Sequence, residues 1–98
     1  MRKAVPVTKR QVKALNKSLP QWQLQKKDTI LKRVIPLTSY IDGLTLIARI
    51  AIHAQVRDHH PEIHYTYDTV TILLTTHDCG QLTKADVELA QLIDRIII

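Results

Sequence analysis

A chain of 98 residues with 45% apolar and 23% charged side chains has the composition of one small globular domain over residues 1–98, which excludes a disordered or fibrous chain. No apolar run approaches the ~18 residues that span a membrane, and Cys79, the only cysteine, excludes an internal disulfide and a cysteine-built metal cage. Charge is uneven: residues 1–33 hold ten Lys or Arg against Asp28 alone, whereas residues 34–98 hold four against eight acids.

These features set expectations about surroundings. A domain this small buries roughly 60–70% of its unfolded surface, so association of copies into a homo-oligomer is expected. A lone cysteine fits a reducing, cytoplasmic setting. Met1-Arg2-Lys3 has no apolar stretch behind it, which argues against a secretory signal. Residues 1–27 lack any acid, as organelle import sequences do, but the stretch is poor in serine and reads as a folded helix. The basic third is either a solvated face or a surface for a protein partner. Trp22 is the single aromatic residue among its lysines, too few for a stacking platform, so a nucleic-acid partner is not expected.

In chain order, Thr8 followed by Gln11 is a capping-box signal, and Val12, Leu15 and Leu19 recur at helical spacing before Pro20. This predicts a helix over about residues 8–19. Trp22 and Leu24 alternate with glutamines, Gln25-Lys26-Lys27-Asp28 can turn, and Ile30–Leu37 is rich in β-branched residues. Residues 21–37 therefore read as a hairpin, with Pro36 limiting its second strand. Ser39 stands at a helix start with Asp42 as its reciprocal acid. Leu44, Ile47, Ala48, Ala51 and Ile52 predict the buried face of a helix from about Tyr40 to Arg57, ended by His60-Pro61.

Tyr65 and Tyr67, then Val70, Ile72 and Leu74, alternate with polar residues. They predict a second hairpin turning at Asp68-Thr69, with Tyr67 opposite Val70, Tyr65 opposite Ile72 and Ile63 opposite Leu74. Tyr67 reads as core. Thr83 and Asp86 cap a last helix whose stripe is Leu89, Ala90, Ile93, Ile96 and Ile97. The predicted fold class is α+β: a four-stranded antiparallel sheet with three helices on one face, in the order α-β-β-α-β-β-α.

Five histidines need a reason. Carried on, the predicted register sets His60 opposite His77, where Cβ atoms are about 5 Å apart. His59 leaves the helix end beside them. Adjacent histidines rarely point at one ion, so no metal site is expected. Helix-capping histidines are the structural alternative. Acid–base work suits three imidazoles, because neutral and protonated forms coexist near neutral pH.

The run His59-His60-Pro61, five residues, Tyr67, nine residues, His77, eight residues, Asp86 resembles the signature of pterin-4a-carbinolamine dehydratases. The resemblance covers roughly residues 22–96. It implies the fold derived above, dimers or tetramers, and a pterin substrate. The implied reaction dehydrates 4a-hydroxytetrahydropterin to quinonoid dihydropterin, with no metal or organic cofactor. It also implies His59, His60 and His77 as catalytic residues, with His60, Pro61 and Gln55 binding substrate. His59 and His77 are expected closest to proton transfer. At Gln55 the family usually has an ionisable residue, so this position departs from the pattern. Asp86 belongs to the signature but is explained by its cap. Relatives also act as non-enzymatic partners, one as a dimerisation cofactor of a homeodomain transcription factor and others in Rubisco assembly, which is the alternative function.

Overall fold

Helix boundaries follow from local hydrogen bonds in the computed structural model, which describes residues 5–97. The Thr8 hydroxyl accepts the Gln11 N–H at 3.2 Å, and the Gln11 side-chain oxygen accepts the Thr8 N–H at 2.8 Å. That reciprocal box starts α1, Lys9–Ser18, which buries Leu15 and, just past its end, Leu19. The basic Arg2 and Lys3, and Ile98 of the terminal isoleucine run, lie outside the described residues.

Strands β1 (Gln23–Gln25) and β2 (Ile30–Pro36) form the first hairpin, and β2 ends on Pro36 as expected. Buried Trp22 leads into β1 and donates its Nε1–H to Asp94 Oδ1 at 2.8 Å. The same carboxylate pairs with Arg33, so one acid pins the hairpin to the last helix. Helix α2 (Tyr40–Arg57), strands β3 (Glu62–Tyr65) and β4 (Thr69–Leu74), and helix α3 (Lys84–Ile97) complete the order α-β-β-α-β-β-α. The sheet runs β1-β2-β4-β3 with every neighbouring pair antiparallel. Leu31 and Ile35 of β2 and Val70, Ile72 and Leu74 of β4 point toward the helices. They form one core with Leu15, Leu19, Ile50, Leu89, Ala90 and Ile93. Each fully buried aliphatic side chain there contributes about 2 kcal/mol. Alternate residues, including Lys32, Val34 and Leu73, lie on the opposite, helix-free face.

Three expectations need correction. The second hairpin turns at Tyr67-Asp68, not at Asp68-Thr69. Thr66 N–H donates to the Thr69 carbonyl at 2.9 Å, Thr69 N–H to Thr66 Oγ1 at 3.2 Å, and Thr66 Oγ1–H to Asp68 Oδ1 at 3.1 Å. These side-chain bonds fix the turn, and the pairs become Tyr65 with Val70 and Ile63 with Ile72. A slip of two residues keeps every side chain on its predicted face, so the apolar pattern could not detect it. Tyr67 consequently sits at the turn, 78% exposed, and is not core.

The buried face of α2 is rotated from the predicted one. Gly43, Ile50 and Ala54 are buried, while Leu44 is 53% and Ile52 64% exposed. Apolar residues surround this helix, so more than one stripe satisfies the spacing. Gly43 decides the orientation: a Cβ there would lie 2.3 Å from Tyr65 Cε1. The Tyr65 ring stacks on Tyr40 at 4.7 Å, and its hydroxyl donates to the Tyr40 carbonyl. Burial, and next the Tyr40 phenol, hold the Tyr65 pKa above the ordinary tyrosine value. Finally, Ser39 takes the cap position of α2 without a side-chain cap bond. Its carbonyl accepts the Asp42 N–H at 3.2 Å, and the Asp42 carboxylate sits near the positive end of the helix dipole.

Candidate active site

The histidine corner begins with the way α2 stops. Asp58 adopts a left-handed conformation (φ 51°, ψ 42°), which aspartate tolerates better than most residues. His59 N–H donates back to the Ala54 carbonyl at 3.0 Å and Asp58 N–H to the Gln55 carbonyl at 3.2 Å. This paired closure is a Schellman turn. It reverses the chain and sets His59 against the start of α3, while His60-Pro61 leads into β3.

The opposite wall follows β4. Thr76 bridges Gln81 across the four-residue turn His77–Gly80, in which Cys79 and Gly80 N–H groups donate to the Thr76 carbonyl at 3.1 and 2.9 Å. Gly80 has φ 63°, a conformation that only glycine adopts without strain. His77 is thereby held at the end of the sheet, and Thr83 brings in α3.

Asp86 joins the two walls. Its side chain is fully buried and shares its two oxygens between structure and site. Oδ2 accepts the Thr83 N–H at 2.9 Å, as the predicted cap requires, and also the Thr76 hydroxyl at 2.7 Å. Oδ1 lies 2.5 Å from His59 Nε2, and the His59 side chain is 14% exposed. The contact fixes the imidazole's orientation, and a carboxylate in this place accepts from Nε2–H and leaves Nδ1 for other work. The cap reading of Asp86 was therefore correct but incomplete. Its place in the spacing after His77 was the available signal for the second oxygen, whereas nothing in the sequence singled out Thr76.

His60 Nε2 lies 2.9 Å from Gln55 Oε1, so Gln55 orients His60 from one turn back in α2. Gln55, His60 and Pro61 together line an apolar cavity of about 590 Å³ beside Ala51, Ile52 and Ile63. His60 also faces a more polar cavity of about 210 Å³ at the end of the sheet, which His77, Lys26, Glu62 and Thr75 line above Ile30 and Leu73. His60 and His77 line one cavity, but they are not the cross-strand pair expected. The ladder ends at Glu62 opposite Leu73, and the corrected register sets His60 level with Thr75. His53 is half-buried, and His64 is exposed and paired with Glu62 at 2.5 Å, so neither joins the corner.

His59, held by the buried Asp86, closes α2, and His60 and His77 share a cavity at the end of the α+β sheet. The family profile described as pterin 4 alpha carbinolamine dehydratase matches residues 5–96. A relative from Mycolicibacterium vanbaalenii, provisionally named pterin-4-alpha-carbinolamine dehydratase, is 37% identical over 93% of this chain and 96% of its own length. One from Mycobacterium leprae with the same provisional name is 38% identical over 93% of this chain and 95% of its own. The chain belongs to the pterin-4a-carbinolamine dehydratase family.

Solved structures agree on the fold. The crystal structure of a transcriptional coactivator/pterin dehydratase from Brucella melitensis superposes with a TM-score of 0.86 at 24% identity, covering 93% of this chain and 97% of that one. A pterin dehydratase-like protein identified as a RuBisCO assembly factor in the alpha-carboxysome gives 0.65 at 22% identity, over 76% of this chain and 87% of that one.

Proposed function

We propose that this chain dehydrates a 4a-hydroxytetrahydropterin to the quinonoid dihydropterin by histidine acid–base chemistry. The C4a–oxygen bond breaks as a proton is delivered to the hydroxyl, the N5 proton is removed, and a C4a–N5 double bond forms. One molecule of water leaves and no electrons are exchanged with a second reactant. His59 and His77 carry the proton transfers, His60 binds the pterin and assists, and Gln55 and Pro61 contribute to binding by holding His60 in place. The observation that supports this most is that His60 and His77 line one cavity, with His60 held by Gln55, while His59 at the adjoining helix end is held by Asp86. A lost general acid or base lowers turnover about 10²-fold or more, so His59→Ala and His77→Ala should each do so in a dehydratase assay. Wild-type turnover in both variants would overturn the assignment.

A protein-partner role is supported by a separate feature. Tyr40, Ile41, Leu44, Ile52 and Val56 of α2 are all more than half exposed. An apolar stripe of this kind on a small protein marks a surface for association. On this reading copies of the chain join through α2 into a dimer or tetramer. A scaffold or coactivator function, as named for the two structural relatives, would use the same face.

A further inference from the structure

The turn between β1 and β2 carries a charge that the proposed chemistry does not use. Lys26, Lys27 and Asp28 have φ of 48°, 54° and 64°, three successive non-glycine residues in the left-handed region. L-residues enter that region only at a cost, so the turn persists because its surroundings hold it. Thr29 N–H donates to the Gln25 carbonyl at 3.1 Å, and Thr29 Oγ1–H to the Lys26 carbonyl at 2.7 Å. Thr75, itself a wall of the 210 Å³ cavity, donates its hydroxyl to the Thr29 carbonyl at 2.7 Å. The strained turn is thus tied to the cavity rim.

The result is a division of side chains. Lys26 lines the cavity that His60 and His77 line, whereas Lys27 and Asp28 line a different one beside α1. The acid in the histidine cavity, Glu62, is paired with His64. Among the described residues no ion pair involves Lys26. Lys26 therefore lines a cavity whose acid is already engaged. Strand order places it far from His60: β1 and β3 are opposite edges of the sheet, three strand spacings or about 14 Å apart. A pterin whose ring meets the imidazoles would direct a substituent along the end of the sheet toward β1.

We propose that Lys26 is a specificity-determining residue that recognises a negatively charged group, phosphate or carboxylate, on the side chain of a pterin bound in this cavity. The proposal rests on the pterin reading above. Its test is fluorescence titration with two matched pairs of stable pterins: neopterin against neopterin monophosphate, and 6-hydroxymethylpterin against pterin-6-carboxylate. The wild-type chain should prefer the anion of at least one pair about fivefold at low salt, the scale of a partly exposed charge pair, and lose the preference as salt rises. The pair that shows it identifies phosphate or carboxylate. Lys26→Gln should abolish the preference without weakening the neutral ligand. Lys27→Gln, with the same charge change one residue away, should keep it. Equal affinity for both members of both pairs in the wild type, or an undiminished preference in Lys26→Gln, would overturn the proposal while leaving the pterin reading intact. Failure of every pterin to bind would overturn both.

Discussion

Replacing Asp86 separates its structural and chemical roles. In Asp86→Ala, the buried Thr83 N–H loses its acceptor, as do the Thr76 hydroxyl and His59 Nε2. The Thr83 N–H is the helix cap, worth about 1 kcal/mol, the Thr76 hydroxyl keeps Thr83 Oγ1 as a partner, and the stranded His59 N–H costs about 1–3 kcal/mol, so about 3 kcal/mol of stability should go. That is a large share of the 5–15 kcal/mol typical of a domain. Asp86→Asn behaves differently. Its amide oxygen keeps the Oδ2 side and still accepts from Thr83 and Thr76, while its NH₂ group faces His59 and donates. His59 must then accept at Nε2 and carry its proton on Nδ1, the reverse tautomer. Stability should fall by about 1 kcal/mol, whereas turnover should fall roughly 10²–10⁴-fold. Urea unfolding measures the first and a dehydratase assay the second, with imidazole ¹⁵N shifts reporting the tautomer directly. A wild-type rate or an unchanged His59 tautomer in Asp86→Asn would contradict these roles of Asp86, as would an unshifted urea midpoint in Asp86→Ala.

Two other consequences concern α2. Gly43→Ala should destabilise the fold by about 1–3 kcal/mol despite alanine's better helix propensity, because the new Cβ meets the Tyr65 ring at 2.3 Å; thermal unfolding of the variant with and without Tyr65→Leu tests whether the ring is the cause. Ile52→Glu combined with Leu44→Glu should leave the monomer folded, since both residues are more than half exposed, while breaking association through α2; sedimentation equilibrium should show a smaller species with unchanged helix content.

Much of this architecture is legible in local signals. The Thr8–Gln11 box, Pro36 and the period-two strands mark their elements because each depends on residues close in sequence. The turn at Tyr67-Asp68 was hidden, because a slip of two residues changes neither face and its hydrogen bonds come from ordinary threonines. The α2 face was hidden for a different reason. A helix apolar on more than one side offers its core stripe and its exposed stripe on equal terms, and only the close approach of Tyr65 to Gly43 chooses between them. At the site, His59, His60 and His77 were recognisable as a pattern. The second oxygen of Asp86, the Thr76 hydroxyl and the reach of Lys26 depend on chain segments that meet only in the folded protein.

The central role assigned to His59 and its neighbours is to move protons on a pterin. Dehydration of 4a-hydroxytetrahydropterin by the wild-type chain, followed against the spontaneous reaction at several pH values and compared with His59→Ala, measures this directly. Turnover should run well above the spontaneous rate and drop about 10²-fold or more in the variant. A wild-type rate no faster than the spontaneous one would contradict that role and leave the exposed face of α2 as the functional surface.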